Sequence, residues 1–261
     1  MSGSVSGNKL FQGEVALVTG SASNIGQGIA AGLAAEGAEV ILADVDPSRN
    51  AATAQIIADS GGRSQEVTVD LSRPDGWTSL LPVFDVRLPS ILVHSACPAR
   101  HERDTVRAVS EETFDAMLNV NVRSGFLIGR ELGRRMIDAE TAGRMLFITS
   151  LHATSPRNLA HYSASKAAMT MVMKEMAREF APYGIRVNAL APGALPGGGN
   201  TNITQEFANT IPMRRVGAAS DIVGPAMALL SNRFCGYVTG ATLPVDGGLA
   251  LYNWIPYAER E

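Results

Sequence analysis

Cysteine is scarce here, with Cys97 and Cys235 the only two in the chain. Two thiols cannot build a disulfide framework, and these two have no spacing suited to a metal. With no disulfides to favour an oxidising compartment, a cytoplasmic setting is the expectation. Long apolar runs are missing as well, so nothing reads as a membrane span. The first twelve residues are polar and Gly/Ser-rich; they read as a loose N-terminus and not as a signal peptide. Neither sign of charge dominates. A net charge of −3 gives no electrostatic reason to expect nucleic acid or an anionic membrane as a partner. No internal repeat, linker or low-complexity stretch divides the chain, so residues 1–261 read as one domain.

What is present is a hydrophobic content of 46%, ample for one core. Residues 15–19, Val-Ala-Leu-Val-Thr, read as a strand buried on both faces. Six more short apolar runs follow, at 39–43, 65–69, 90–93, 145–149, 185–190 and 242–245. Between them lie helical patterns at 29–36, 48–59, 74–81, 111–137 and 221–230, and a helix that carries Tyr162 and Lys166 and runs to about residue 183. This alternation predicts an α/β fold. Its parallel sheet has about seven strands and helices on both faces, with ligands at the carboxyl ends of the strands. A Gly/Pro-rich stretch at 192–212 reads as irregular and as a candidate substrate lid. Residues 249–261 form a tail whose Tyr252, Trp254 and Tyr257 either cover a neighbouring subunit's pocket or pack on their own chain.

Three groups of residues carry chemistry, two of them at predicted strand ends. After the first strand comes Gly20-Ser21-Ala22-Ser23-Asn24-Ile25-Gly26-Gln27-Gly28. A strand, a glycine turn and a helix can hold a pyrophosphate on backbone N–H groups, although an ordinary βα turn reads the same way. Asp44 directly follows the second strand. There it can accept hydrogen bonds from adenosine ribose hydroxyls and repel a 2′-phosphate, which favours NAD over NADP. Arg49 lies close in sequence but on the next helix. The third group is Tyr162 and Lys166, one helical turn apart on one face. A tyrosine alone is a poor base at neutral pH, and a nearby ammonium favours its phenolate form. Such a pair can move a proton at an alcohol or carbonyl oxygen.

With Asn121, Ser150, Tyr162, Lys166, the turn from Thr19 to Gly26, Asp70-Leu71, Pro192-Gly193 and the last strand to Gly248 in order, the chain resembles a single-domain short-chain dehydrogenase/reductase over about residues 13–248. The resemblance implies a Rossmann-type doubly wound sheet and NAD as cofactor. It implies reversible hydride transfer to or from a secondary alcohol or ketone of a small polyol, sugar or hydroxy acid. Tyr162 would be the general acid/base, and Lys166 would support it and hold the nicotinamide ribose. Ser150 would hydrogen-bond the substrate oxygen, and Asn121 would anchor a water that links Lys166 to solvent. Cofactor contacts are implied at Gly20, Ser23, Asn24, Ile25, Asp44, Asp70, Leu71, Ser95, Ala96, Tyr162, Lys166, Pro192, Gly193 and Leu195, and substrate contacts at Ser150, His152 and Tyr162. The resemblance also implies a small-molecule substrate and a homotetramer built from dimers, with the small residues Ala164, Ala167 and Ala168 permitting close helix approach. No metal is expected. A non-catalytic NAD(H) sensor on the same fold is the alternative; it predicts decay of the four catalytic residues, which are intact.

Three departures from the family stand out. Asn24 occupies a usual glycine position, which Asn tolerates next best at positive φ. The usual Asn-Asn-Ala-Gly reads His94-Ser95-Ala96-Cys97. His94 is then a structural histidine that takes over the sheet-bracing hydrogen bonds or, on the sharper reading, a catalytic or pH-sensing one. Cys97 reads as a packing residue. The threonine that often follows Pro-Gly is displaced to Thr201, which leaves the carboxamide contact to the Leu195 backbone or to a folded-back Thr201. Met169, Met171, Met173 and Met176 read as one packing face.

Overall fold

The computed structural model describes residues 9–101, 103–196 and 204–251. Seven parallel strands form one sheet: β1 (Val15–Thr19), β2 (Glu39–Asp44), β3 (Arg63–Thr68), β4 (Ile91–His94), β5 (Arg144–Ile148), β6 (Arg186–Pro192) and β7 (Thr242–Val245). Their spatial order is β3-β2-β1-β4-β5-β6-β7. The chain winds outward one way from β1 to β3, then crosses back to β4 and winds the other way. The crevice between β1 and β4 is the switch point at which such sheets bind ligands.

Alternate residues of each strand serve opposite faces. Leu17, Ile41, Leu92 and Phe147 pack on one side, with Ile128 and Leu132 of α5 (Gly125–Asp138) and Met169 and Met173 of α6 (Ala160–Phe180). Ala16, Val18, Leu42, Val93 and Leu146 pack on the other. There they meet Ile29 and Leu33 of α1 (Asn24–Ala35), Ile57 of α2 (Pro47–Asp59) and Ile222 of α8 (Ala219–Leu230). Each fully buried Leu, Ile, Phe or Met contributes roughly 1.5–3 kcal/mol.

The first and last strands match expectation residue for residue, and the others shift by one or two at their ends. Larger differences have physical causes. Helix α1 starts at Asn24 and not at residue 29, because Gly26 and Gly28 of this turn lie in the helix itself: a Cβ at Gly28 would come within 3.2 Å of Val223 on α8. The predicted helix 74–81 is a 3-10 turn (Gly76–Leu80) followed by α3 (Leu81–Val86), restarted by Pro82. The predicted helix 111–137 is α4 (Glu111–Leu118), a π turn (Asn119–Ser124) and then α5. Within the stretch expected to be irregular, α7 (Gln205–Thr210) forms behind an N-cap in which Thr204 Oγ1 accepts from the Phe207 N–H. The lid assigned to 192–212 lies outside the described residues at 197–203. So does the tail from residue 252, with Tyr252, Trp254 and Tyr257. Of the loose N-terminus, residues 1–8 lie outside the described residues, but 9–12 are tied down. Phe11 is fully buried and its N–H donates to the Glu36 carbonyl. Met169, Met173 and Met176 are buried together, whereas Met171 is exposed, as its two-residue offset on a helix requires. Helix α9 (Asn232–Cys235) leads toward β7.

Candidate active site

At the carboxyl ends of β1, β4, β5 and β6 the sheet opens into a cavity of about 1340 Å³. Every residue expected to touch cofactor or substrate lines it, from Gly20, Ser23, Asn24 and Ile25 through Asp44, Asp70, Leu71, Ser95 and Ala96 to Ser150, His152, Tyr162, Lys166, Pro192, Gly193 and Leu195. Asn121 is the exception. It is fully buried on the π turn, one layer behind the wall.

The glycine turn fits a dinucleotide. Gly20 has φ +69°, and a Cβ there would come 2.6 Å from the Ala96 amide nitrogen. Only glycine allows the two strand ends to approach this closely. The N-cap of α1, Ser23, makes no side-chain cap hydrogen bond, and the first helical turn holds no acidic residue. Amide donors and the positive end of the helix dipole are therefore available to a phosphate. Asn24 takes the left-handed conformation (φ +52°), as its residue type allows, and its Nδ2 donates to the Pro196 carbonyl across the cleft at 2.9 Å. Asp44 accepts from the Ala22 N–H at 2.9 Å through one oxygen and from the Asp46 N–H at 3.1 Å through the other. Arg49 is on α2, as expected, but it also lines the cavity beside Asp44 and Asp46. Asp70 holds the Ser72 amide and hydroxyl on one oxygen.

At the other end, Tyr162 and Lys166 lie one turn apart on α6, both nearly fully buried. Lys166 Nζ donates to the Ile148 carbonyl at 2.8 Å and lies 5.5 Å from the Tyr162 ring centre. Ser150 Oγ accepts from the His152 N–H at 3.2 Å. The His152 ring meets Tyr162 edge-on at 4.9 Å, and its Nδ1 is 3.2 Å from Ser163 Oγ. Burial first, and then the charges of Arg100, Arg157 and Lys166, push the His152 pKa down to about 4, so the ring is neutral at physiological pH. Asn121 Nδ2 donates to Ser165 Oγ at 2.8 Å and contacts Met117 Sδ at 3.1 Å; its Oδ1 is buried with no partner among the described residues.

His94 is the structural histidine of the two readings. It is fully buried, with Nε2 against the Val120 carbonyl at 3.1 Å and Nδ1 against Thr19 Oγ1 at 2.9 Å. A carbonyl only accepts, so Nε2 carries the proton and the threonine hydroxyl donates to Nδ1. Burial, then the Lys166 charge, lowers its pKa to about 4. Cys97, expected to pack, is instead exposed and lines the cavity. His161, next to Tyr162 in sequence, is buried and does not line the cavity. Thr201 lies outside the described residues. Among the lining residues unnamed at the sequence level are two guanidinium groups, Arg100 and Arg157. Both sit in loops, and the available signal was that these loops wall the pocket and carry guanidinium groups.

A crevice with a phosphate-sized turn at one end and a Tyr–Lys pair at the other is that of a nicotinamide-dependent oxidoreductase. Known proteins agree. The family model described as enoyl-(acyl carrier protein) reductase matches residues 20–250. Glucose 1-dehydrogenase 2 of Bacillus subtilis is 33% identical, covering 94% of this chain and 97% of its own. A 3-oxoacyl (acyl-carrier-protein) reductase of Agrobacterium tumefaciens with NADP bound superposes with a TM-score of 0.84 at 32% identity, covering 92% of this chain and 95% of that one. The 3-ketoacyl-(acyl-carrier-protein) reductase of Brucella melitensis complexed with NADH gives 0.83 at 32% identity, over 92% and 99%. The chain belongs to the short-chain dehydrogenase/reductase family. It is an oxidoreductase that transfers a hydride between a nicotinamide dinucleotide and a secondary alcohol or ketone. Among the described residues, no helix is long and apolar enough to cross a membrane, and no cluster of His, Cys, Asp or Glu could hold a metal ion.

Proposed function

We propose that the enzyme is an NAD-dependent dehydrogenase or reductase for a small polyol, sugar or hydroxy acid, with Tyr162 as general acid/base. The observation that carries this reading is the convergence of Tyr162, Lys166 and Ser150 on one cavity whose far rim presents Asp44. Tyr162 takes the proton from the substrate hydroxyl during oxidation and returns it to the carbonyl oxygen during reduction. Ser150 Oγ accepts from the His152 amide, so its own proton is available to the same substrate oxygen, where it steadies developing charge. Lys166 spends one of its three donors on Ile148 and keeps two, for the ribose hydroxyls of the dinucleotide and for proton relay. Asn121 Oδ1 is the acceptor that a relay water needs, which supports its assigned role. Gly20, Ser23, Asn24 and Ile25 would hold the pyrophosphate, Asp70 and Leu71 would flank the adenine, and Ser95 and Ala96 would line its path. Pro192, Gly193 and Leu195 would sit by the nicotinamide. Bound there, the dinucleotide supplies the hydride acceptor or donor. Asp44 selects NAD by repelling a 2′-phosphate.

The glucose dehydrogenase relative supports a polyhydroxy substrate. A dimer-of-dimers tetramer is supported by the exposed face of α6, where Ala164, Ala167 and Met171 stand clear of the core, and by exposed Phe126 on α5. A cytoplasmic setting completes the reading. The test is a panel of polyols, sugars and hydroxy acids with NAD and with NADP, read by absorbance of the reduced nicotinamide, on wild type and Tyr162→Phe. The expected result is turnover with NAD that falls at least ~100-fold in the variant while NADH binding is unchanged. Undiminished turnover in Tyr162→Phe would remove the proton-transfer role.

A further inference from the structure

Positive charge gathers beside the acid/base tyrosine in a chain whose net charge is −3. Arg100, from the loop after β4, lies with its guanidinium carbon 4.3 Å from the Tyr162 ring centre. Arg157, from the loop before α6, lines the same cavity, and its Nε is buried with no partner among the described residues. Lys166 stands on the third side. His152 lies among the three and stays uncharged at neutral pH, so it adds no competing cation and leaves a flat polar wall. A buried guanidinium donor without an acceptor leaves part of that group's hydrogen-bonding capacity unmet. The planar guanidinium fork matches a carboxylate better than it matches a neutral hydroxyl.

We infer that the substrate carries a carboxylate anchored by Arg157, with the reacting hydroxyl or ketone held at Tyr162 further along the same small molecule. This rests on the oxidoreductase reading and narrows it, among polyols, sugars and hydroxy acids, to polyhydroxy acids. The two groups are linked within one short segment. Arg157 precedes Tyr162 by five residues, and Asn158, at φ +61°, turns the chain sharply between them. That segment sets the separation between anchor and acid/base, and with it which carbon of the acid meets the nicotinamide. Arg100, stacked on the tyrosine, closes the wall from the opposite loop. Phe207 and Leu249 add apolar surface to the same lining, and a charge pair beside apolar surface is screened less than one in open water.

The test uses matched pairs that differ only in the anion, gluconate against sorbitol and galactonate against galactitol, with sorbitol 6-phosphate as a phosphate control. Wild type, Arg157→Gln and Arg157→Lys are compared with NAD as cofactor. In parallel, gluconate is titrated calorimetrically into the complex with NADH, a readout that needs no turnover. The acid of each pair should be preferred by about 100-fold in kcat/KM. Arg157→Gln should erase that preference mainly through KM, change sorbitol less than about threefold and leave NADH affinity at its wild-type value; Arg157→Lys should restore part of it. Equal use of acid and alditol by wild type, equal loss on both in Arg157→Gln, or preference for the phosphate would overturn the assignment. If nothing on the panel is oxidised, the reaction reading fails on its own, and the titration still decides the anchor. Arg157-dependent gluconate binding upholds it, and no binding overturns it.

Discussion

The two ends of the cavity are built differently. At the cofactor end the contacts are made largely by backbone and by strand ends locked in register. The Gly20 amide donates to the Ala43 carbonyl, Ser21 Oγ to Asn50, Thr53 Oγ1 back to the Ser21 carbonyl, and the Ala22 amide to Asp44. At the substrate end, Arg100, His152, Arg157 and Phe207 all project from loops or from a short helix between loops. The first region is over-determined, since moving one group disturbs strands on either side. The second can change its side chains without disturbing the sheet. Chemistry common to many substrates can therefore reside in the first, with selectivity in the second.

The strongest blow to the rigid end should come from a single methyl group. A Cβ at Gly26 would overlap the Gly20 carbonyl oxygen, which is backbone and cannot swing aside. Gly26→Ala should destabilise the protein by about 3 kcal/mol and abolish NADH binding. Urea unfolding and NADH fluorescence titration measure both effects. A comparable change at exposed Ala99 in the substrate-end loop, Ala99→Val, serves as the control and should leave the unfolding midpoint within about 0.5 kcal/mol. Equal effects at the two sites would erase the contrast.

His94 sharpens the contrast through pH. Its folded-state pKa is about 4, below the 6.5 of the unfolded chain. Below pH 6.5 the unfolded chain therefore binds a proton that the native state refuses. The stability His94 confers is complete above pH 6.5 and is lost as pH falls toward 4, on the order of 3 kcal/mol in all. His152 and His161 are likewise held below the usual imidazole range by burial, and Asp46, Glu131 and Asp221 below the usual carboxylate range by hydrogen bonds; each loses stabilisation on acidification too. The wild-type slope is thus a sum. His94→Asn should reduce it between pH 7.5 and 4.5 while the contribution of His152 and His161 remains. Identical slopes in the two proteins would mean that His94 is protonated without cost.

The same division explains what could be read in advance. Strand β1 and the Tyr162/Lys166 pair were legible because an apolar run and a four-residue spacing are local signals. Asn24 was legible too, since few residue types accept its backbone conformation. The start of α1 was not, because glycines that look like a loop are needed where α1 packs on α8 and on its own turn. The π turn was hidden because helical periodicity continues on both sides of it. Arg157 was hidden for a different reason. Its meaning depends on which charges face the same cavity, and that is set by three loops whose mutual position only the folded sheet determines.

The smallest effect expected is at Asp44, and it tests whether the rigid end is also selective. Two backbone amides fix this carboxylate at the rim, where a 2′-phosphate would meet it. Arg49 stands exposed on the same rim and would attract that phosphate. The two side chains pull in opposite directions; on the proposed reading the buttressed one, Asp44, prevails, its position being fixed while the arginine is free to swing into solvent. Asp44→Ala removes the repulsion and leaves the arginine. The ratio of kcat/KM for NADP to that for NAD should then rise about tenfold, equivalent to about 1.4 kcal/mol. Adding Arg49→Ala should reverse part of the gain. An enzyme that already prefers NADP before either change would show that Arg49 dominates the rim, and that selectivity at the rigid end is set by its one mobile side chain.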